Sequence, residues 1–251
     1  MNSKERADVL IEGRYVIWQA EDVLCYTMDS VLAANFLSLK NTDRVLELGA
    51  GTGAISLIAA IRGARMVVGA ELNPYLVALL NRSIEQNGLK EILTAKQLDI
   101  KELPQLLALG RFDAVVANPP YRRSYAGNTR ADASASSACH ELTADLNDFI
   151  KAAASVLETR GRLVMVNMAE RLTDTLNLCL KYRLEPKRLQ FVHSKEGTPA
   201  RLFLLEAQYN VRPGGLVILE PLIVYGADGE YTTALKKYYE PKPAADFSKK
   251  I

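Results

Sequence analysis

Apolar residues recur along this chain in two alternating rhythms. Short runs such as Val45-Leu46-Glu47-Leu48, Met66-Val67-Val68-Gly69-Ala70 and Phe112-Asp113-Ala114-Val115-Val116-Ala117 end in Gly, acidic or Asn-Pro positions and read as buried strands. A further strand is expected over 93–98. Between them lie helical patterns, the clearest running from Pro74 to Asn87 and stopped by Gly88, a residue suited to the left-handed position after a helix. Strands alternating with helices predict right-handed βαβ units and a mostly parallel sheet. Downstream the pattern predicts a helix over 146–157, a strand over 161–167 and a helix over 173–182. Strands are then expected over 189–193, 201–207 and 216–219. Upstream, Tyr15-Val16-Ile17-Trp18 alternates as a strand or hairpin would, and Asp29 or Ser30 suits the N-cap of an apolar helix from Val31 to Leu37. The expected organisation is one α/β domain over 1–240, with a lead-in over 1–40 and a loose tail over 241–251.

Composition narrows the class without naming a chemistry. The 251 residues are 49% hydrophobic and 24% charged, enough apolar material for a substantial core in an ordinary soluble protein. No apolar run reaches transmembrane length, and Met1 to Asp8 is polar where a signal peptide would be apolar. Cys25, Cys139 and Cys179 form no C-x-x-C pair, so neither a metal site nor a disulfide framework is expected and a reducing, cytoplasmic setting follows. A net charge of +2 says little about a polyanion, but the cations are clustered. Arg122, Arg123 and Arg130 precede a small, polar stretch over 131–138 that reads as a loop able to order over a substrate. Lys181, Arg183, Lys187 and Arg188 form a second cluster, and Lys236-Lys237 beside Tyr238-Tyr239 a third; each reads first as a solvated face.

The strand ends carry the chemistry. After the first comes Gly49-Ala50-Gly51-Thr52-Gly53, whose Gly-x-Gly-x-Gly spacing differs from the Gly-x-Gly-x-x-Gly of dinucleotide folds but equally lets backbone turn sharply beneath a ligand. The second ends in Glu71, placed to accept from two ribose hydroxyls, with Leu72 beside it. The third leads to Asp99 and Ile100, where the carboxylate suits an adenine amine or caps the turn before Lys101. The fourth ends in Asn118-Pro119-Pro120-Tyr121. There the Asn side-chain carbonyl and a backbone carbonyl beside it can both accept from one NH2 group. Two prolines remove competing donors, and the aromatic ring can stack on the ring that carries the amine. In an open parallel sheet all four ends line one crevice. His193, at the end of a later strand, reads as a hydrogen-bonded structural residue, while His140 and Glu141 follow the loop as substrate-contact candidates.

Glu47-Leu48-Gly49-Ala50-Gly51-Thr52-Gly53 together with Asn118-Pro119-Pro120-Tyr121 resembles the S-adenosylmethionine-dependent amino-methyltransferases. Ile17-Trp18-Gln19, Thr27 to Leu32, Ala169 to Leu172, Pro186 to Leu189, Val192-His193, Pro221 to Tyr225 and Gly229 to Thr232 narrow the likeness to the bacterial valine-tRNA adenine-N6 methyltransferase family, over about residues 14 to 239. The resemblance implies a Rossmann-like seven-stranded sheet with one reversed strand, helices on both faces and a C-terminal strand extension. It implies S-adenosylmethionine held by Thr27, Glu47, Gly49, Gly51, Gly53, Glu71, Leu72, Asp99, Ile100 and Asn118. Within that set Glu47 is expected to steer the loop or the methionine amine. It implies catalysis at Asn118, Pro119, Pro120 and Tyr121, and tRNA contacts at Arg122, Arg123, Arg130, His140 and Glu141. The family shows Arg where this chain has Cys139.

Other readings fit parts of the chain. A side-chain amide presents the same NH2, so protein glutamine-N5 methylation is the first alternative. The enzymes of that type carry a helical N-terminal domain, and about forty residues before the glycine loop are too few for one. Methylation of ribosomal RNA or DNA uses the same core. A nicotinamide oxidoreductase is disfavoured by the glycine spacing and has no use for Asn-Pro-Pro-Tyr. A non-catalytic RNA-binding module would need neither motif.

Overall fold

A computed structural model of the chain describes residues 5–11, 15–21, 25–121 and 144–240. Three parallel βα steps and a fourth strand build the part that matters for function: β3 (Arg44–Leu48) with α2 (Ala54–Ile61), β4 (Met66–Glu71) with α3 (Pro74–Gln86), β5 (Leu93–Gln97) with α4 (Leu103–Ala108), and β6 (Phe112–Ala117). Then follow α5 (Leu146–Val156), β7 (Leu157–Met168), α6 (Leu172–Lys181), β8 (Leu184–His193) and β9 (Ala200–Tyr209). The sheet order is β8-β9-β7-β6-β3-β4-β5, with β9 antiparallel to both neighbours and the other pairs parallel. Those are the seven strands implied by the resemblance, with the reversed one between β7 and β8.

The expected C-terminal strand extension is β10 (Val217–Ile218) and β11 (Leu222–Ile223), which run parallel along the outer edge of β8 and bring the sheet to nine strands. The returning chain uses donors and acceptors that an edge strand leaves open: Leu219 N–H donates to Leu189 O (2.7 Å) and Val224 N–H to His193 O (2.9 Å). Side chains alternate across the sheet with period two. Val45, Ala114 and Val116 enter a core shared with α1 (Met28–Phe36), α2, α3 and α7 (Thr233–Tyr239), while Leu46, Leu48, Phe112, Val115 and Ala117 enter one shared with α4, α5 and α6. Helices thus cover both faces. Among the described residues no helix is long and apolar enough to cross a membrane.

The lead-in is an antiparallel hairpin of β1 (Glu5–Ile11) and β2 (Tyr15–Ala20). It is fastened to α3: Val16 and Trp18 N–H groups donate to Asn87 Oδ1 and Ser83 Oγ, both at 2.9 Å, and the Arg82 guanidinium lies 3.7 Å from the Trp18 ring centre. One expectation needs correction here. Helix α1 starts at Met28 with Thr27 in the N-cap position and no side-chain cap, so Asp29 and Ser30 sit inside the first turn. Their side chains are engaged elsewhere.

Candidate active site

Strand order turns the four motifs into a row. β5, β4, β3 and β6 are consecutive neighbours, and their registers bring Gln97 beside Glu71, Ala70 beside Leu48 and Leu48 beside Ala117. Asp99, Glu71, the glycine loop and Asn118 therefore follow one another along one edge, each strand about 4.8 Å from the next. The chain direction of connections reverses between β3 and β6, which opens a crevice beside the glycine loop.

Two acidic side chains flank the glycine loop. Gly49, Gly51 and Gly53 all have positive φ (67°, 57° and 89°), a conformation that L side chains disfavour. Glu71 bridges the loop to its own strand end, accepting from Gly51 N–H at 2.8 Å and Asn73 N–H at 2.9 Å. Each carboxylate oxygen keeps a further lone pair. Beneath the loop, Glu47 is buried and accepts from Ser56 N–H at 2.7 Å and from the Ser56 hydroxyl, fastening the start of α2. Burial pushes its carboxyl up to about 8, opposed by the Ser56 bonds and aided by the charge of Glu71.

Asp99 accepts from Lys101 N–H at 2.9 Å, which is the turn-capping alternative, and its other oxygen stands 4.0 Å from Lys101 Nζ. Ile100 is buried, and Leu72 is exposed. Thr27 is exposed at the mouth of α1, and its carbonyl accepts from Ser30 N–H at 3.1 Å.

The amine clamp proves to be tied to α1. Tyr121 Oη lies 2.5 Å from Asp29 Oδ2 and 3.1 Å from Asn118 Oδ1, while Asn118 Nδ2 donates to Ser30 Oγ at 3.3 Å. A phenol has one proton, and the shorter contact with a carboxylate claims it. Asn118 Oδ1 is left with acceptor capacity, and Ser30 sets which way the amide faces. Burial, then the charge and hydrogen bond of Asp29, raises the Tyr121 phenol well above its ordinary value. Pro119 is buried and Pro120 exposed. Asp29 and Ser30 were legible only as cap residues, because their partners lie 92 and 88 positions away.

The remaining expected contacts divide. Arg122, Arg123, Arg130, Cys139, His140 and Glu141 lie outside the described residues, as does the tail over 241–251. In the second cationic cluster, Lys187 Nζ donates to Arg212 O (3.0 Å) and Gly214 O. Arg188 bonds Phe36 O, Ser38 Oγ and Glu206 and stacks on the Phe36 ring at 4.4 Å. These two cations hold the fold together. His193 Nδ1 contacts Thr198 O at 2.6 Å, a structural bond within its own turn.

Comparison with known proteins finds likenesses in sequence and in fold. The family described as "Methyltransferase domain" matches residues 39–197. A tRNA1(Val) (adenine(37)-N6)-methyltransferase of Porphyromonas gingivalis (strain W83) is 28% identical over 204 residues, covering 78% of each chain. A protein of Methanocaldococcus jannaschii, provisionally described as a protein N5-glutamine methyltransferase, is 38% identical over 94 residues, 37% of this chain and 44% of its own length. The crystal structure of a predicted O-methyltransferase from Agrobacterium tumefaciens superimposes with a TM-score of 0.68 at 20% identity, covering 88% of this chain and 99% of the other.

Proposed function

Because the chain belongs to the methyltransferase domain family, we propose that it transfers a methyl group from S-adenosylmethionine to N6 of an adenine in tRNA, in the anticodon loop. The observation that carries the acceptor is Asn118, whose amide is oriented by Ser30 and whose Oδ1 retains acceptor capacity at the crevice edge. The choice of tRNA adenine over a protein amide rests on the longer likeness, which spans 78% of both chains, against 37% of this one for the glutamine-type relative.

The residues fit the cofactor. Among the described residues nothing lies within 4 Å of where a Cβ on Gly51 would stand, so the face of the loop is open. Gly49, Gly51 and Gly53 would pass beneath the methionine and ribose, Glu71 would hold the ribose hydroxyls, and Asp99 with Ile100 would flank the adenine. When bound, S-adenosylmethionine supplies an electrophilic methyl on a sulfonium, so the protein needs no nucleophilic side chain of its own. Asn118 Oδ1, with the carbonyl beside Pro119, accepts from the target NH2 and turns its lone pair toward the crevice. Those bonds strengthen as the nitrogen gains positive character, which is transition-state stabilisation. Asp29 anchors Tyr121, whose ring is the stacking partner for an extruded base. Alignment supplies the rest of the rate.

Nucleoside mass spectrometry of total tRNA, rRNA and protein hydrolysates from cells lacking the protein tests this reading. The expected result is loss of N6-methyladenosine from one tRNA, restored by the wild-type chain and not by Asn118→Ala. An unchanged tRNA profile with a lost methyl on ribosomal RNA or on a glutamine would overturn the substrate.

A further inference from the structure

A stack of three tyrosines stands on the segment that follows β11, outside the roles assigned so far. Tyr225 and Tyr231 face each other across an antiparallel bridge, their ring centres 5.3 Å apart and tilted by 34°. The turn between them is rigidly made: Gly226 N–H donates to Glu230 O at 2.8 Å, Glu230 N–H to Asp228 Oδ1 at 3.0 Å, and Gly229 takes φ of 82°. Tyr239, at the end of α7, lies near-parallel to Tyr231 at 6.2 Å and 14°.

The stack has a firm back. Thr232 caps α7 through Leu235 N–H and donates to Ile223 O at 2.6 Å, while Leu235 is wholly buried. Asn35 Nδ2 of α1 donates to Tyr238 O at 2.7 Å, and Tyr238 Oη to Gln190 Oε1 at 2.8 Å. The front is open: Tyr225 and Tyr231 are each 38% exposed, and Lys236 and Lys237 on the same helix are exposed too. Tyrosine suits such a half-exposed surface, because its ring offers an apolar contact face while its hydroxyl stays wet.

Its position relates it to the clamp. α7 packs on α1, whose first turn carries Asp29, the partner of Tyr121. Burial first, and then Tyr231, Tyr26, Asp29 and Tyr225, raise the Tyr239 phenol to about 12, so the stack and the clamp's anchor share one electrostatic neighbourhood.

We propose that the Tyr225, Tyr231 and Tyr239 stack, with Lys236 and Lys237, is the binding surface for the single-stranded ribonucleotides that flank the target adenine. It rests on the tRNA reading above and adds the residues that would hold the loop. Every base has a π-face, so exposed stacked tyrosines hold unpaired nucleotides whatever their sequence, and adjacent lysines neutralise the phosphates between them. A protein acceptor offers no ladder of planar rings and anions to match it.

The test uses the full-length enzyme and a transcript of the tRNA that loses its methyl in deletion cells. Tyr231→Leu is expected to raise KM for the transcript about tenfold, the order of one lost base–aromatic contact. Tyr231→Trp restores it, since only a ring is required. Calorimetric affinity for S-adenosylhomocysteine stays at the wild-type value in both. Lys236→Ala with Lys237→Ala raises KM and flattens its salt dependence. Tyr225→Leu is the second variant if Tyr231→Leu does not fold. Wild-type KM in the folded Leu variants overturns the stack while leaving the tRNA reading intact. A wild-type enzyme that methylates only a protein, with the same KM effect there, overturns the ribonucleotide assignment and the tRNA reading together.

Discussion

Two glycines in one loop separate folding from binding. Gly51 and Gly53 both have positive φ, so an alanine at either costs about 1–2 kcal/mol for the left-handed backbone alone. At Gly51 the added methyl meets nothing within 4 Å among the described residues. At Gly53 it would overlap Leu80 Cδ1 and stand 3.0 Å from Leu80 Cγ. Leu80 is fully buried, so its side chain has no room to swing away, and overpacking adds about 1–3 kcal/mol. In a chain of this size about 1 kcal/mol moves Tm by roughly 2–4 °C. Gly51→Ala is therefore expected to melt about 2–8 °C below wild type and Gly53→Ala roughly twice as far below, by circular dichroism. The order reverses for ligand. The Gly51 methyl would enter the open face of the loop, and affinity for S-adenosylhomocysteine should fall at least about tenfold, or about 1.4 kcal/mol, by calorimetry. Equal melting losses in the two variants, or wild-type affinity in Gly51→Ala, would refute the reasoning.

Three further outcomes are expected. Asn118→Ala should lower kcat about a hundredfold or more and leave cofactor affinity near wild type, because the lost bonds act on the target amine in the transition state. Tyr121→Phe and Asp29→Ala should each slow turnover by roughly tenfold, and the double variant by little more, since both remove the same charge-assisted bond; full additivity in steady-state kinetics would count against the shared contact. Glu47 holds its proton to about pH 8 when folded, against 4.5 for an unperturbed carboxyl. The folded state therefore binds more protons across that window, and stability falls as pH rises through it. Glu47→Gln should flatten that slope in urea titrations between pH 5 and 8, and an unchanged slope would show that another group sets it.

The strand ends were readable because short apolar runs have few competing interpretations and their terminating residues are chemically distinctive. Position within the sheet followed from handedness once βαβ alternation was recognised. Two kinds of feature were not readable. β11 and the hairpin strand β1 are made by pairing with a distant edge or partner, and their own sequence is too short or too polar to announce them. Asp29 and Ser30 carried a local signal for a cap, and a contact across the sheet overrode it. Likewise Arg188 and Lys187 looked like solvent-facing charge until tertiary carbonyls and a ring claimed them.

The two-residue strands along β8 have a consequence for solubility. Ten residues of β8 would otherwise present an unpaired row of backbone groups, the commonest template for one copy to pair with another. The strip from Val217 to Val224 occupies that row at Arg188, Leu189, Val192 and His193. The same strip leads directly into the tyrosine turn. A chain shortened before it would expose its sheet margin and lose the stack in one step, so self-association and loss of RNA affinity should arrive together. The strip that covers the sheet margin is also the stem on which the tyrosine stack is carried.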